Sequence, residues 1–175
     1  MTHPVLIPTL ETDRLVLRAP TATDLDAYAA FCQSERSAGV GGPFTLDQAF
    51  HKLSAIIGQW SLRGFGRWMV ADKQSNEPLG IVGPFYPITW PEPEIAWTVF
   101  AAAEGRGIAY EAALAARGYV YDTLGWDSVI SCTTPGNDRS VALARRMGAQ
   151  RDGSFHHADY GELLIWRHPS RGSLA

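Results

Sequence analysis

Two cysteines in 175 residues, Cys32 and Cys132, are too few for a disulfide framework. The chain must therefore hold together by burying apolar surface, and the pair reads as two reduced thiols suited to a cytoplasmic setting. A basic excess is also missing. The formal net charge is -3, which removes the electrostatic basis for general binding to nucleic acid or to an anionic membrane. No window approaches the apolar run that a bilayer span needs. The opening Met1-Thr2-His3-Pro4 has neither a basic stretch nor a long apolar one, so no secretory signal is expected there. The adjacent His156-His157 lack a third ligand at helical spacing and read as a plain loop, so no metal is expected. Internal repeats and low-complexity segments are absent as well.

What is present describes a globular protein. An apolar fraction of 46% against 19% charged residues suits one domain over 1–175 with a single sizeable core. That core is expected from about residue 10 to 168, with a small, polar and mobile tail over 169–175. Leu10 to Ala19 reads as a turn and a first strand, with Leu15 and Leu17 on one face, stopped by Pro20. Thr23-Asp24 offers a cap for a helix carrying Leu25, Tyr28, Ala29 and Phe31-Cys32. Thr45-Leu46-Asp47-Gln48 has the form of a capping box, and the helix behind it repeats Phe50, Leu53, Ile57 and Trp60 as an apolar stripe. Strands are predicted at 67–72, 79–82 and 94–100. A helix follows over 108–122 with Ile108, Ala112, Ala115 and Tyr119 on one face. The chain then gives a strand at 128–134, a short helix at 140–147, and final strands at 149–155 and 161–168. The order is β-α-α-β-β-β-α-β-α-β-β, a mixed α/β sheet with one parallel step across the helix at 108.

The stretch Glu104-Gly105-Arg106-Gly107-Ile108-Ala109 organises the rest. It lies between the apolar run Ile95-Ala96-Trp97-Thr98-Val99-Phe100 and the helix from Ile108. A glycine-flanked turn at a helix start gathers backbone N–H groups without intrahelical partners, and the aligned peptide dipoles favour an anion there. Gly105 and Gly107 let a phosphate approach the main chain, and Arg106 can add a full charge. An ordinary loop that needs glycine only for its shape competes with this reading. A Rossmann dinucleotide loop does not, because Tyr110 stands where its third glycine belongs.

Three segments carry a resemblance to the GCN5-related N-acetyltransferases (GNAT family), in the branch of the ribosomal-protein N-terminal acetyltransferases. They are Leu10-Glu11-Thr12-Asp13-Arg14-Leu15-Val16-Leu17-Arg18; Glu94 to Val99 running through Gly105-Arg106-Gly107-Ile108-Ala109-Tyr110-Glu111-Ala112; and Asn137-Asp138-Arg139-Ser140 with Ala142 to Ala149. The resemblance implies a GNAT-like, mostly antiparallel central sheet of about seven strands flanked by helices. It also implies acetyl transfer from acetyl-CoA, as co-substrate and without metal, to the amine of a small molecule or a protein N-terminus, by direct attack in a ternary complex. The protein would act as a monomer or homodimer.

By the same resemblance, the backbone of Gly105, Arg106, Gly107, Ile108 and Ala109 holds the pyrophosphate. The main chain near Trp97 and Val99 pairs with the pantetheine arm as an added strand would. Asn137 bonds that arm, and Ser140 lies near the sulfur. Glu94 is the candidate base, by direct abstraction or through a water, with anchoring of the substrate ammonium as the other reading. Asn137 and Ser140 also read as ordinary helix-capping chemistry. Cys132 reads as a buried strand thiol. Trp60, Trp68, Trp90 and Trp97 read mostly as core, with Trp90 also placed to wall an acceptor pocket. Three features depart from the family pattern, one being the Ala101-Ala102-Ala103 run, which lacks the proline and aromatic residues common there. Glu104 stands where Gln or Arg is usual, and no tyrosine occurs between Asp138 and Gly148 to protonate the leaving thiolate. A non-catalytic acyl-CoA-binding or interaction module on the same fold is the alternative that these departures leave.

Overall fold

The computed structural model describes residues 5–174, so Met1-Thr2-His3-Pro4 lies outside the described residues. Among the described residues eight strands and four α-helices are formed: β1 Leu10–Glu11, β2 Leu15–Arg18, α1 Leu25–Cys32, α2 Leu46–Arg63, β3 Trp68–Asp72, β4 Pro78–Phe85, β5 Glu94–Val99, α3 Ile108–Asp122, β6 Ile130–Thr133, α4 Asp138–Arg146, β7 Gln150–His157 and β8 Gly161–Arg167. The predicted first strand is two, because residues 12–14 turn the chain so that Leu10 pairs with Leu17.

The sheet runs β1-β2-β3-β4-β5-β6-β8-β7, antiparallel except where β5 meets β6. That parallel contact consists of one register pair, Glu94 with Ile130, whereas β4 and β5 pair from Glu94 through Val99. Beyond Glu94 the two neighbours therefore diverge, and the sheet forks.

Both faces of the sheet centre are covered. Trp68 and Val70 point with Leu15 and Leu17 into a core closed by α3 through Ile108, Ala112, Ala113, Ala116 and Val120. Met69, one residue out of phase, joins Tyr28, Phe31, Leu53 and Ile56 of α1 and α2 on the opposite face. Period-two alternation in a strand buried on both sides explains why Trp68-Met69-Val70-Ala71 is apolar throughout.

Two helices sit about one position away from the stripes read in the sequence. In α2 the buried positions are Ala49, Leu53, Ile56 and Trp60, while Phe50 is 54% and Ile57 40% exposed. In α3 the inner face adds Ala113 and Ala116, leaving Ala115 and Tyr119 half-buried at its edge. The Thr45 capping box forms as predicted, with Gln48 N–H donating to Thr45 Oγ1 at 3.2 Å and Thr45 N–H to Gln48 Oε1 at 2.8 Å.

His156 and His157 belong to β7 rather than to a loop, and the His157 ring is buried against Trp90 and Tyr160. Past β8 the chain folds back in a short 3-10 turn at Arg171–Ser173, and Tyr121 Oη donates to Pro169 O at 2.7 Å. Among the described residues no helix is long and apolar enough to cross a membrane.

Candidate active site

The fork opens into a cleft of about 940 Å³. Nine of the ten residues singled out in the sequence line it: Glu94, Trp97, Val99, Gly105, Gly107, Ile108, Ala109, Asn137 and Ser140. Arg106 does not. Its guanidinium turns back toward Ala102 O at 3.4 Å, so its full charge is not presented to the cleft.

At one end is the glycine turn. Gly105 has φ +73° and Gly107 φ +75°, the left-handed region in which a β-carbon is penalised. A Cβ built on Gly105 would meet nothing within 4 Å, so the backbone conformation, not crowding, asks for glycine there. Gly107 is the N-cap of α3, and no side chain caps that helix. The first-turn N–H groups of Ile108, Ala109 and Tyr110 are thus left for a ligand.

The turn is braced from the opening strands. Glu111 accepts from Thr12 Oγ1 at 2.6 Å, Arg14 N at 3.1 Å and Arg14 Nε at 2.7 Å, while Arg14 Nη1 donates to Arg106 O at 3.0 Å. These contacts give the Thr12-Asp13-Arg14 motif a physical role that pattern matching alone did not supply.

Glu104 is neutralised from two sides. Arg36, on the 3-10 segment Glu35–Val40, and Arg139, in the first turn of α4, both pair with its carboxylate. Arg36 also reaches Val99 O at 3.4 Å. A Cβ on Gly39 would stand 3.2 Å from Asn137 Nδ2, so the same segment approaches α4 closely.

At α4, Asn137 Oδ1 caps the helix by accepting from Ser140 N–H at 3.2 Å, the role expected from local sequence. Ser140 Oγ accepts from Trp97 Nε1 at 3.2 Å. Since that bond uses an oxygen lone pair, the hydroxyl proton of Ser140 remains available to a cleft ligand.

The other end is built round Glu94, only 5% exposed. Oε1 accepts from Trp90 Nε1 at 3.0 Å, and Oε2 from the Cys132 backbone N–H at 2.6 Å across the fork. Burial pushes its pKa up to about 7, with those two donors and the Arg67 guanidinium pulling partly back. Trp90 stands among Phe85, Phe155, His157 and Tyr160, with ring centroids 5.0–5.8 Å away, so it is packed in an aromatic cluster and also lines the cleft. Cys132 is half-buried at the cleft, and desolvation together with the Glu94 charge raises its thiol pKa, so it is no thiolate nucleophile.

Sequence reading missed four cleft residues here: Tyr28 and Lys52 from α1 and α2, Arg67 from the loop before β3, and Tyr160 from the turn between β7 and β8. No local signal marks them, because their meeting depends on the packing of helices and strands distant in sequence. Burial raises the pKa of both tyrosines, so they stay protonated.

A second polar cluster, Ser131, His168 and Arg117, lies inside the core and outside the cleft lining. Arg117 Nη1 donates to Met147 O at 2.6 Å and to His168 Nδ1 at 3.4 Å. Nδ1 accepts, so Nε2–H donates to Ser131 Oγ at 2.8 Å, and Ser131 donates onward to Ile95 O at 2.7 Å. Despite its likeness to a hydrolase pair, the chain is fully satisfied and buried, and it ties β5 to β6 at the base of the fork. Among the described residues no three His, Cys, Asp or Glu side chains converge to hold a metal ion.

The GNAT acetyltransferase domain model matches residues 14–150. The chain belongs to the GNAT acetyltransferases. An acetyltransferase from Agrobacterium tumefaciens str. C58 superposes with TM-score 0.85 at 34% identity, over 96% of this chain and 98% of its own. The uncharacterized N-acetyltransferase YoaA of Bacillus subtilis (strain 168) is 26% identical over 89% of this chain and 90% of its own length. The fold also matches RimL, a ribosomal L7/L12 alpha-N-protein acetyltransferase solved with coenzyme A, with TM-score 0.73 at 17% identity over 93% and 98% of the two chains. This GNAT protein is thus an N-acetyltransferase on a RimL-like fold, of a family that uses acetyl-CoA and acts on amines. The site suits such a co-substrate: an uncapped helix start for the diphosphate, a forked strand edge beside it, and five basic side chains against two carboxylates round the cleft.

Proposed function

We propose that this protein transfers the acetyl group of acetyl-CoA to a primary amine, of a small molecule or a peptide N-terminus, by direct attack within a ternary complex. The continuity of one cleft from the uncapped start of α3 to the buried Glu94 carries the reading.

The backbone N–H groups of Gly105 to Ala109 hold the diphosphate. The bare edge of β5 from Trp97 to Val99 lines up the pantetheine arm, and Asn137 bonds that arm from the far side. A backbone N–H near Val99 polarises the thioester oxygen, an interaction worth ~2.7–4 kcal/mol when preorganised. Glu94 accepts the proton of the amine, directly or through a water, as nitrogen attacks the carbonyl carbon and the C–S bond breaks. With its pKa near 7 it is about half ionised at neutral pH, which suits a base far better than an ordinary carboxylate. The Ser140 hydroxyl, held by Trp97, faces the departing sulfur, and the thiolate takes its final proton there or from water.

Calorimetric titration with acetyl-CoA, paired with thiol-release assays over amines and peptides, tests this function. Binding with turnover on at least one amine is expected, and Gly107→Glu should abolish binding while the protein still folds, with a melting temperature lower by about 5 °C for the β-carbon at left-handed φ. Binding without turnover on any acceptor would return the protein to the class of non-catalytic acyl-CoA modules.

A further inference from the structure

Arg67 is a half-buried cation of the cleft that no side chain among the described residues pairs with directly. Its guanidinium is half-buried, lines the cleft beside Glu94, and lies with Cζ 4.2 Å from the centroid of the Phe85 ring. Among the described residues it has no carboxylate within 4.0 Å and donates no side-chain hydrogen bond. Other sheltered arginines are provided for: Arg18 holds both oxygens of Asp24 at 2.8 and 2.9 Å, and Arg117 donates to Met147 O at 2.6 Å. Burial draws the Arg67 pKa below the usual arginine range, and since among the described residues no buried side-chain nitrogen lacks a partner, its unpaired N–H groups open to the cleft, where a ligand can take them up.

Lys52 repeats the pattern. Its Nζ lies 4.0 Å from the centroid of the Phe44 ring, it lines the same cleft, and it too has no carboxylate within 4.0 Å among the described residues. Glu94 makes no ion pair with either cation: its oxygens accept from Trp90 Nε1 and the Cys132 N–H, and its charge acts on Arg67 only through space.

This end of the cleft therefore holds two cations on aromatic faces and one carboxyl of raised pKa, in a chain whose net charge is -3. The mild acidity of the whole chain fits a cationic acceptor without selecting one; the local charges point the other way. Resting on the transferase function above, we infer that the acceptor is an amine that also bears a carboxylate, which Arg67 and Lys52 bind while the amine faces Glu94. A guanidinium offers a planar pair of N–H donors that matches a carboxylate, and the walls of Tyr28, Phe85, Trp90 and Tyr160 suit an apolar or aromatic body between the two charged groups. The reaction forms one N–C bond and breaks one C–S bond, giving an N-acetylated acid and the free thiol.

The test compares matched acceptors in the acetyl-CoA thiol-release assay: phenylalanine with phenylalaninamide, methionine with methioninamide, a peptide starting with Asp with its Asn counterpart, and spermidine as a polycation. Wild type is expected to favour the carboxylate member of at least one pair by about tenfold or more in kcat/KM, although the carboxamide's amine loses its proton more readily. Arg67→Gln should bring that ratio near one, and Arg67→Lys should restore part of it. Calorimetry of N-acetylphenylalanine with the coenzyme A-loaded protein gives a readout apart from activity, and binding about tenfold weaker in Arg67→Gln is expected. Preference confined to the free amino acids identifies an α-carboxylate as the bound group; preference confined to the Asp peptide identifies an acidic side chain. Turnover that favours the carboxamides or spermidine would overturn the inference and leave the transferase function standing, even if Arg67→Gln does not fold. Acetyl-CoA binding with no turnover on any acceptor would overturn both.

Discussion

Glu94 shows how one side chain can serve both fold and chemistry. It joins β5 to β6 through the Cys132 N–H at the only register pair the two strands share, and the same burial lifts its pKa to about 7. Glu94→Gln is expected to lower kcat by about 100-fold or more and to remove the limb of the pH–rate profile near 7, with acetyl-CoA affinity little changed. Stopped-time assays across pH 5.5–9, run in parallel with calorimetry, check this, and an unaltered limb would remove Glu94 from the base role. His168 makes the opposite demand. Its pKa is held down to about 3, chiefly by burial and then by Arg117, so folding favours its neutral form. The stability this contributes is complete above the unfolded value of about 6.5 and drains away as pH falls from there toward 3. Glu94 acts in the other direction between about 4.5 and 7, since its folded pKa is raised, so the difference between proteins isolates the histidine. Melting curves of wild type and His168→Gln should converge as pH falls from 7 to 4. At this scale Asn137 was readable in the sequence, because a cap needs only its own first turn. Arg67 was not, because its isolation depends on which carboxylates fail to reach it.

Among the elements, the turn between β5 and α3 was the most legible, since two glycines at left-handed φ and an uncapped helix start are local properties. The apolar stripes of α2 and α3 were placed about one position off. Helical periodicity locates a face only to within the width of a residue, and the sheet beneath selects Ile56 over Ile57. The role of Glu104 could not be read locally at all. An acidic residue beside a phosphate seat looks adverse, yet Arg36 and Arg139 reach it from two other elements. The carboxylate occupies two guanidinium groups that would otherwise face a diphosphate bound as proposed. Glu104→Gln should free them and tighten acetyl-CoA binding by about threefold to tenfold at low salt, with the gain shrinking as salt rises. Calorimetry at two ionic strengths reads both effects, and weaker binding in the variant would show that the pairing shapes the seat instead.

For the molecule as a whole, the order of elements and the single parallel step were visible in the pattern of strands and helices. The fork was not. Nothing in Glu94-Ile95-Ala96-Trp97-Thr98-Val99 says that pairing to the next strand stops after its first residue, because that is decided by where β6 is held by β8. The fork leaves one side of β5 without a neighbouring strand, and hydrogen exchange of the Trp97 and Val99 amides is expected to slow by about tenfold or more when acetyl-CoA binds, with little change in β3. Equal exchange in both states would mean that the arm does not lie along this edge. A ligand lying there would complete a sheet that the polypeptide alone leaves unfinished, and it would add its own binding energy to the native state. Survival against heat and proteases would then rise and fall with the supply of acyl carrier, making the lifetime of the protein a gauge of acetyl-CoA abundance.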